Sequence, residues 1–245
     1  MAKNSMLLYG RNSVLERLKA DPQSIIKIFI QDKLRLPQIE RLIQERRIPV
    51  ERLSSAKLFK IKPSRDLQGV IARVKRFQYA DFKRLLENKL TPIFLDRIND
   101  PQNLGAIIRT AACLGGFAVV IPQFNACGVT EAVLHVASGG ENFVPVSMVS
   151  NIAQAIISAK KKGYWIMGAV VEPGARALNK IDLPFPLGIV LGSEAGGIRY
   201  GVQKQLDLKA CIPMRGAGLS FNVAIACSIF CYELCRIREA GNEKK

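Results

Sequence analysis

From Ile93 onward, strand-like and helix-like patterns alternate with little chain between them, and this alternation limits the possible folds more than any other feature of the sequence. Ile93 to Asp96 is a short apolar run, Asp100-Pro-Gln-Asn103 a polar loop, and Leu104, Ile107, Ile108, Ala111 and Leu114 recur at helical spacing. Gly115-Gly116 stops the helix, and Phe117 to Ile121 forms a second apolar run. Two strands joined by one helix make a βαβ unit, whose strands run parallel. Further strands are expected at Val144 to Val146, Trp165 to Val170, Leu187 to Leu191 and Ala210 to Ile212, with helices at Asn151 to Lys161 and Val223 to Arg238. The expected class is α/β, a parallel sheet with helices on both faces.

The first part reads differently. A short helix (Ser13 to Lys19), a strand (Ile25 to Ile30), an amphipathic helix near Pro37 to Arg46, a short strand at Val50, a helix near Ser54 to Lys60 and a strand from Gly69 to Val74 predict a small α/β domain over residues 1–76. Residues 77–91 hold a charged helix and are expected to connect it to a larger domain over 92–245.

Charge follows the same division. The chain carries +16 overall, but residues 1–90 hold 21 basic and 9 acidic side chains, while 91–245 hold 15 and 11. Such an excess predicts an anionic partner, above all nucleic acid, set against a merely solvated basic face. The longest apolar runs fall far short of the roughly 18–20 residues that span a bilayer. The start, MAKNSMLLYGRNS, has no apolar signal core, so a cytoplasmic protein without a membrane partner is expected.

The six cysteines contain no C-x-x-C pair, and the one histidine, His135, stands far from most of them, so no metal site is expected. Cys227, Cys231 and Cys235, spaced by four, stack on one side of a helix as small apolar groups. His135 in its apolar setting reads as structural.

Three polar loops follow expected strands, where open α/β sheets place ligands: 96–109, 191–199 and 212–222. Neither G-x-G-x-x-G nor G-x-x-x-x-G-K-[ST] occurs, which disfavours an ordinary dinucleotide site or P-loop. Read singly, each loop is a tight turn, Ser220 or Asn222 a helix N-cap and Arg109 a solvated helix residue. Read together, they converge at one end of one sheet.

Asn103-x-Gly105-x-x-x-Arg109, Leu191-Gly-Ser-Glu194 and Ile212-Pro-Met with Ser220-x-Asn222-Val223 resemble, in order and spacing, the three motifs of the SpoU (TrmH) family of RNA ribose 2′-O-methyltransferases in the SPOUT superfamily. Ser138-Gly139-Gly140 resembles the family's connecting segment, and Tyr9-Gly-Arg-Asn-Ser-Val14 the opening of its substrate-binding domain. The resemblance implies a SPOUT domain with a deep trefoil knot, an N-terminal domain similar to L30-type RNA binders, and a homodimer with shared active sites. It implies S-adenosylmethionine as cofactor, contacted by Gly192, Ile212 and Phe221, and catalytic roles for Asn103, Arg109, Glu194, Ser220 and Asn222. The implied substrate is a guanosine in large-subunit (23S) rRNA. The alternatives are tRNA ribose methylation and a non-catalytic RNA-binding or ribosome-assembly protein.

Within that frame Arg109 would hold phosphate and developing alkoxide rather than act as a base, because guanidinium stays protonated. Glu194 would orient Arg109 or a ribose hydroxyl. Two positions depart from the family: Phe221 stands where leucine is usual, and Ala195 where glycine is usual. Val223, Ala226, Ile229 and Phe230 give the last helix an apolar face that motivates dimerisation.

Overall fold

The computed structural model describes residues 5–242 except Ala195 and Gly218. The first strand, β1 (Ser5–Tyr9), is followed by α1 (Arg11–Ala20), β2 (Ile25–Gln31), α2 (Pro37–Arg46), β3 (Val50–Leu53), α3 (Ser55–Ile61) and β4 (Val70–Lys75). The sheet order is β1-β4-β2-β3, with β4 antiparallel to both neighbours and β3 parallel to β2. Alternate residues face opposite sides. Leu8, Ile28, Ile30 and Ala72 pack with Val14, Leu18, Ile39 and Ile43 of α1 and α2, while Tyr9, Phe29 and Ile71 pack with Leu58 of α3. Strand β1 is absent from the sequence reading. It exists by antiparallel pairing with Ile71 to Lys75 of β4.

The second sheet is built from β5 (Thr91–Asp96), β6 (Phe117–Pro122), β7 (Val146–Val149), β8 (Trp165–Ala169), the two-residue β9 (Arg176–Ala177), β10 (Leu187–Gly192) and β11 (Leu208–Cys211). Its helices are α4 (Phe82–Glu87), α5 (Pro101–Leu114), α6 (Glu131–Ala137), α7 (Ile152–Lys160), α8 (Tyr200–Gln203) and α9 (Val223–Asn242). The order is β7-β6-β5-β10-β8-β11-β9 with every pairing parallel, as the βαβ reading requires.

Helices cover both faces. Ile93 and Leu95 of β5 and Val119 and Ile121 of β6 pack with α5, α6 and α9; Phe94 and Val120 between them pack with α4, α7 and α8. The expected strand at Val144 to Val146 lies instead at Val146–Val149, because pairing begins where Val146 meets Val119. Helix α6 forms around His135, and α8 and β9 are too short to have been read from periodicity. Cys227 and Cys231 are buried with sulfurs 3.8 Å apart. The hydrogen bond between them and burial push the Cys231 thiol well up, so it stays a neutral packing group.

One continuous core runs from the first sheet into the second, and the junction carries specific contacts. The His135 ring stacks on Tyr9 at 4.3 Å, and its Nδ1 lies 3.1 Å from the Tyr9 carbonyl. Glu131 accepts from the backbone N–H of Leu7 (2.8 Å) and from Lys62 (2.7 Å). Residues 77–80 cross between the sheets: Tyr79 accepts from the Val129 N–H, and Ala80 donates to Val146. Arg17 of α1 meets Glu141 at 3.0 Å with both side chains buried. Burial pushes the Glu141 carboxyl above its ordinary value, and Arg17 opposes that shift.

Replacing Arg17 with Met should leave a buried carboxylate unpaired and reduce stability by about 3–5 kcal/mol in urea unfolding near neutral pH. The ionised form is disfavoured in the folded state, so this deficit should shrink as pH falls through the raised Glu141 pKa and the group takes up a proton. Arg17→Met with Glu141→Leu should recover most of the loss.

Candidate active site

Strand β10 lies between β5 and β8, so successive strands diverge to either side of the β5–β10 pair. Open α/β sheets bind ligands in the crevice at such a reversal, beyond the carboxyl ends of the strands. Asp96 and Gly192, the last residues of β5 and β10, stand side by side in register. The loops after β5, β10 and β11 all open there.

Each loop is held locally before it meets the others. Pro101 opens α5 behind Asp100, whose carboxylate caps the Gln102 N–H at 2.9 Å. Gly105 sits where α5 crosses α6; a Cβ there would come within 2.5 Å of the Val136 Cβ. The loop after β10 folds back on itself through reciprocal backbone hydrogen bonds between Ser193 and Gly197 (3.1 and 2.8 Å). A Cβ on Gly192 would lie 2.1 Å from the Gly197 carbonyl carbon, so this position needs glycine before any ligand is considered. Asp96, fully buried, accepts from the Arg199 backbone and guanidinium at 2.8 Å each and ties the far end of that loop to β5.

Three side chains then join all three loops. Asn103 donates to Glu194 Oε1 (3.1 Å), Asn222 donates to the same oxygen (2.8 Å), and Asn222 also donates to Asn103 Oδ1 (2.9 Å). The Asn222 Oδ1 accepts from Ala224 (2.9 Å) and Ile225 (3.4 Å) at the start of α9. Asn222 is therefore both the helix cap and a member of a closed ring, with both amide hydrogens and its oxygen engaged.

Beside the ring lies a cleft of about 280 Å³ bounded by the segment after β8, the β10 loop, the β11 loop and α9. Gly192, Glu194, Ile212, Ser220 and Phe221 line it, joined by Met214 of the third motif, by Phe230, which the sequence reading assigned to an apolar helix face, and by Glu172, which it did not single out. Ser220 is exposed at its edge. Arg109 stands apart: it is exposed on α5, about 9 Å along the axis from Asn103, and is not among the residues lining the cleft. Within this chain Glu194 bonds to the two amides rather than to Arg109. Ala195 and Gly218, in the second and third loops, lie outside the described residues.

The Asp96–Arg199 pair is the other omission of the sequence reading. Its one signal was a carboxylate ending an otherwise apolar strand, a position that needs a cation or several donors.

Asn222→Asp should keep the helix cap but lose both amide donors and place a second carboxylate against Glu194. Denaturant unfolding should show a loss of about 1–3 kcal/mol at neutral pH.

Residues 91–232 match the SpoU rRNA Methylase family, and residues 7–80 match the RNA 2′-O ribose methyltransferase substrate binding family. The chain is 35% identical over 242 residues to the 23S rRNA (guanosine-2′-O-)-methyltransferase RlmB of Coxiella burnetii, covering 95% of this chain and 96% of that one. It is 33% identical to the enzyme of the same name from Nitrosomonas europaea, covering 95% and 92%. In fold it is similar to the SpoU methyltransferase AviRb from Streptomyces viridochromogenes, solved in complex with AdoMet, with a TM-score of 0.81 at 20% identity over 96% of this chain and 91% of that one. With three loops of the expected motifs locked at one switch point and both domains matched, the chain belongs to the SpoU rRNA methylase family.

Proposed function

We propose that this protein is an S-adenosylmethionine-dependent ribose 2′-O-methyltransferase acting on a guanosine of 23S rRNA, as a cytoplasmic homodimer. The observation that carries the reading is the Asn103–Glu194–Asn222 ring, which fixes three post-strand loops around one cleft. Family membership and the two RlmB relatives, matched over nearly their whole length, support the reaction and the nucleoside. The basic first ninety residues, which contain the part that matches the substrate-binding family, support RNA docking there. The division into 1–76, a connection at 77–91 and a catalytic domain at 92–245 belongs to this reading, as does the trefoil threading of the family.

The cleft fits the cofactor chemically. Its walls offer Ile212, Met214, Phe221 and Phe230 to an apolar or aromatic group, and among the described residues its only charged lining residues are the carboxylates Glu172 and Glu194. A cationic ligand with an aromatic base suits that lining. When bound, S-adenosylmethionine supplies a methyl group on a positively charged sulfur, open to in-line attack.

The protein's own residues supply alignment and charge stabilisation. The ring keeps the β10 and β11 loops at a fixed separation, so Gly192, Ile212 and Phe221 form a preset cofactor wall. Ser220, exposed at the cleft edge, is available to hydrogen-bond the target nucleotide. Arg109, exposed and permanently protonated, holds the acceptor's phosphate and developing oxyanion, while the 2′-hydroxyl proton leaves to phosphate or water.

The dimer rests on a different face of α9 from the one the sequence pattern marked. Val223 and Phe230 are buried within the protomer, whereas Ile225, Tyr232 and the neighbouring Phe221 are exposed and open to a second copy.

Mapping 2′-O-methyl groups in rRNA and tRNA with and without the gene should show loss at one guanosine of 23S rRNA. Loss at a tRNA position, or no loss, would overturn the substrate assignment. Arg109→Ala should leave S-adenosylmethionine affinity intact by calorimetry while single-turnover methylation falls at least ~10²-fold, and Arg109→Lys should restore little.

A further inference from the structure

In a chain of net charge +16, the cleft beside the ring is lined, among the described residues, by two carboxylates and no cation. The two are not equivalent. Glu194 Oε1 is engaged by two amides and serves the ring. Glu172 follows β8 on the opposite wall, is about a third exposed, and meets Lys209 Nζ of β11 at 2.5 Å. Glu172 is the member of this ion pair that lines the cleft, and Lys209 stands outside the lining.

Methyl transfer changes the charge of whatever occupies this cleft. The carbon–sulfur bond breaks with its electron pair remaining on sulfur, the methyl carbon bonds the ribose 2′-oxygen, and the hydroxyl proton leaves to phosphate or water. The ligand therefore enters with one more positive charge than the thioether with which it leaves. A fixed negative charge in the wall distinguishes the two forms; Glu194 contributes to it but also ties the ring together through two amides, so Glu172 is the lining carboxylate that can be altered without breaking the loop contacts.

We propose that Glu172 is a specificity-determining residue of the cofactor site, favouring the sulfonium donor over the neutral thioether product. This rests on the cofactor reading above. Lys209 holds the carboxylate in place and partly offsets its charge, which sets the size of the preference. At the effective dielectric of a partly exposed site, one carboxylate several ångströms from a unit charge, offset by a lysine, corresponds to about three- to tenfold in relative affinity.

The test is calorimetric titration of the full-length protein with S-adenosylmethionine and with S-adenosylhomocysteine. Glu172→Gln should weaken the first by about three- to tenfold and leave the second nearly unchanged. Lys209→Met should move the ratio the other way, because the carboxylate then acts without its offsetting charge. A merely structural ion pair would make both variants alter both ligands in the same direction. Equal weakening of the two ligands by Glu172→Gln, no change in either, or a fall in the ratio for Lys209→Met would each overturn the proposal. If the unaltered protein bound neither ligand, the cofactor reading would fail and this inference with it, an outcome separate from equal binding of both.

Discussion

The insertion of β10 between β5 and β8 is the constraint on which the active site depends. It brings the last residue of β10, Gly192, level with the last residue of β5, Asp96, so loops separated by nearly a hundred residues leave the sheet at adjacent points. Everything near the cleft then follows from short-range chemistry. Asp96 captures Arg199, Glu194 comes within reach of Asn103, and Asn222 closes the ring from the start of α9. Asn103 is buried while Glu194 and Asn222 are exposed, and their mutual hydrogen bonds tie together the segments that form the cleft walls.

The junction between the two sheets works by a related device. A buried Arg17–Glu141 pair adds little stability over an apolar replacement, but losing one member leaves an uncompensated charge, so the pair penalises any arrangement that separates the domains. The stacked Tyr9–His135 rings and the Glu131 contacts act at the same seam. Residues 77–80 also hydrogen-bond into the second sheet. The basic first ninety residues are consequently held against the second sheet that bears the cleft, which favours an enzyme that must present one ribose of a structured RNA to a fixed methyl donor.

The charge distribution serves two ligands of opposite sign. Lysine and arginine dominate the first ninety residues, where a polyanion would dock, whereas the cleft carries two carboxylates. Exposed basic charge attracts a polyanion over distances of about a Debye length, while in the proposed cofactor site the cleft carboxylates would act at contact on a small cation. The two fields are separated by the polypeptide itself, and neither can be inferred from net charge.

The sequence by itself determined the α/β class, the parallel sheet and the positions of most helices, because apolar spacing at periods of two and 3.6 is a local property. It also marked Asn103, Glu194, Ser220 and Asn222 through the order of three short motifs, and Gly192, Ile212 and Phe221 through the same resemblance. Tertiary structure decided the rest. Strand β1 exists only through its pairing with β4, and tertiary packing turns the apolar face of α9 that the spacing marks inward against the core rather than outward to a second copy. Glu194 bonds to Asn103 and Asn222 instead of Arg109, and Asp96 finds Arg199, because strand order alone determines which loop ends become neighbours. Glu172 acquires its place in the cleft for the same reason: its position depends on β8 lying beside β10 and β11, a pairing between distant segments that no local spacing encodes.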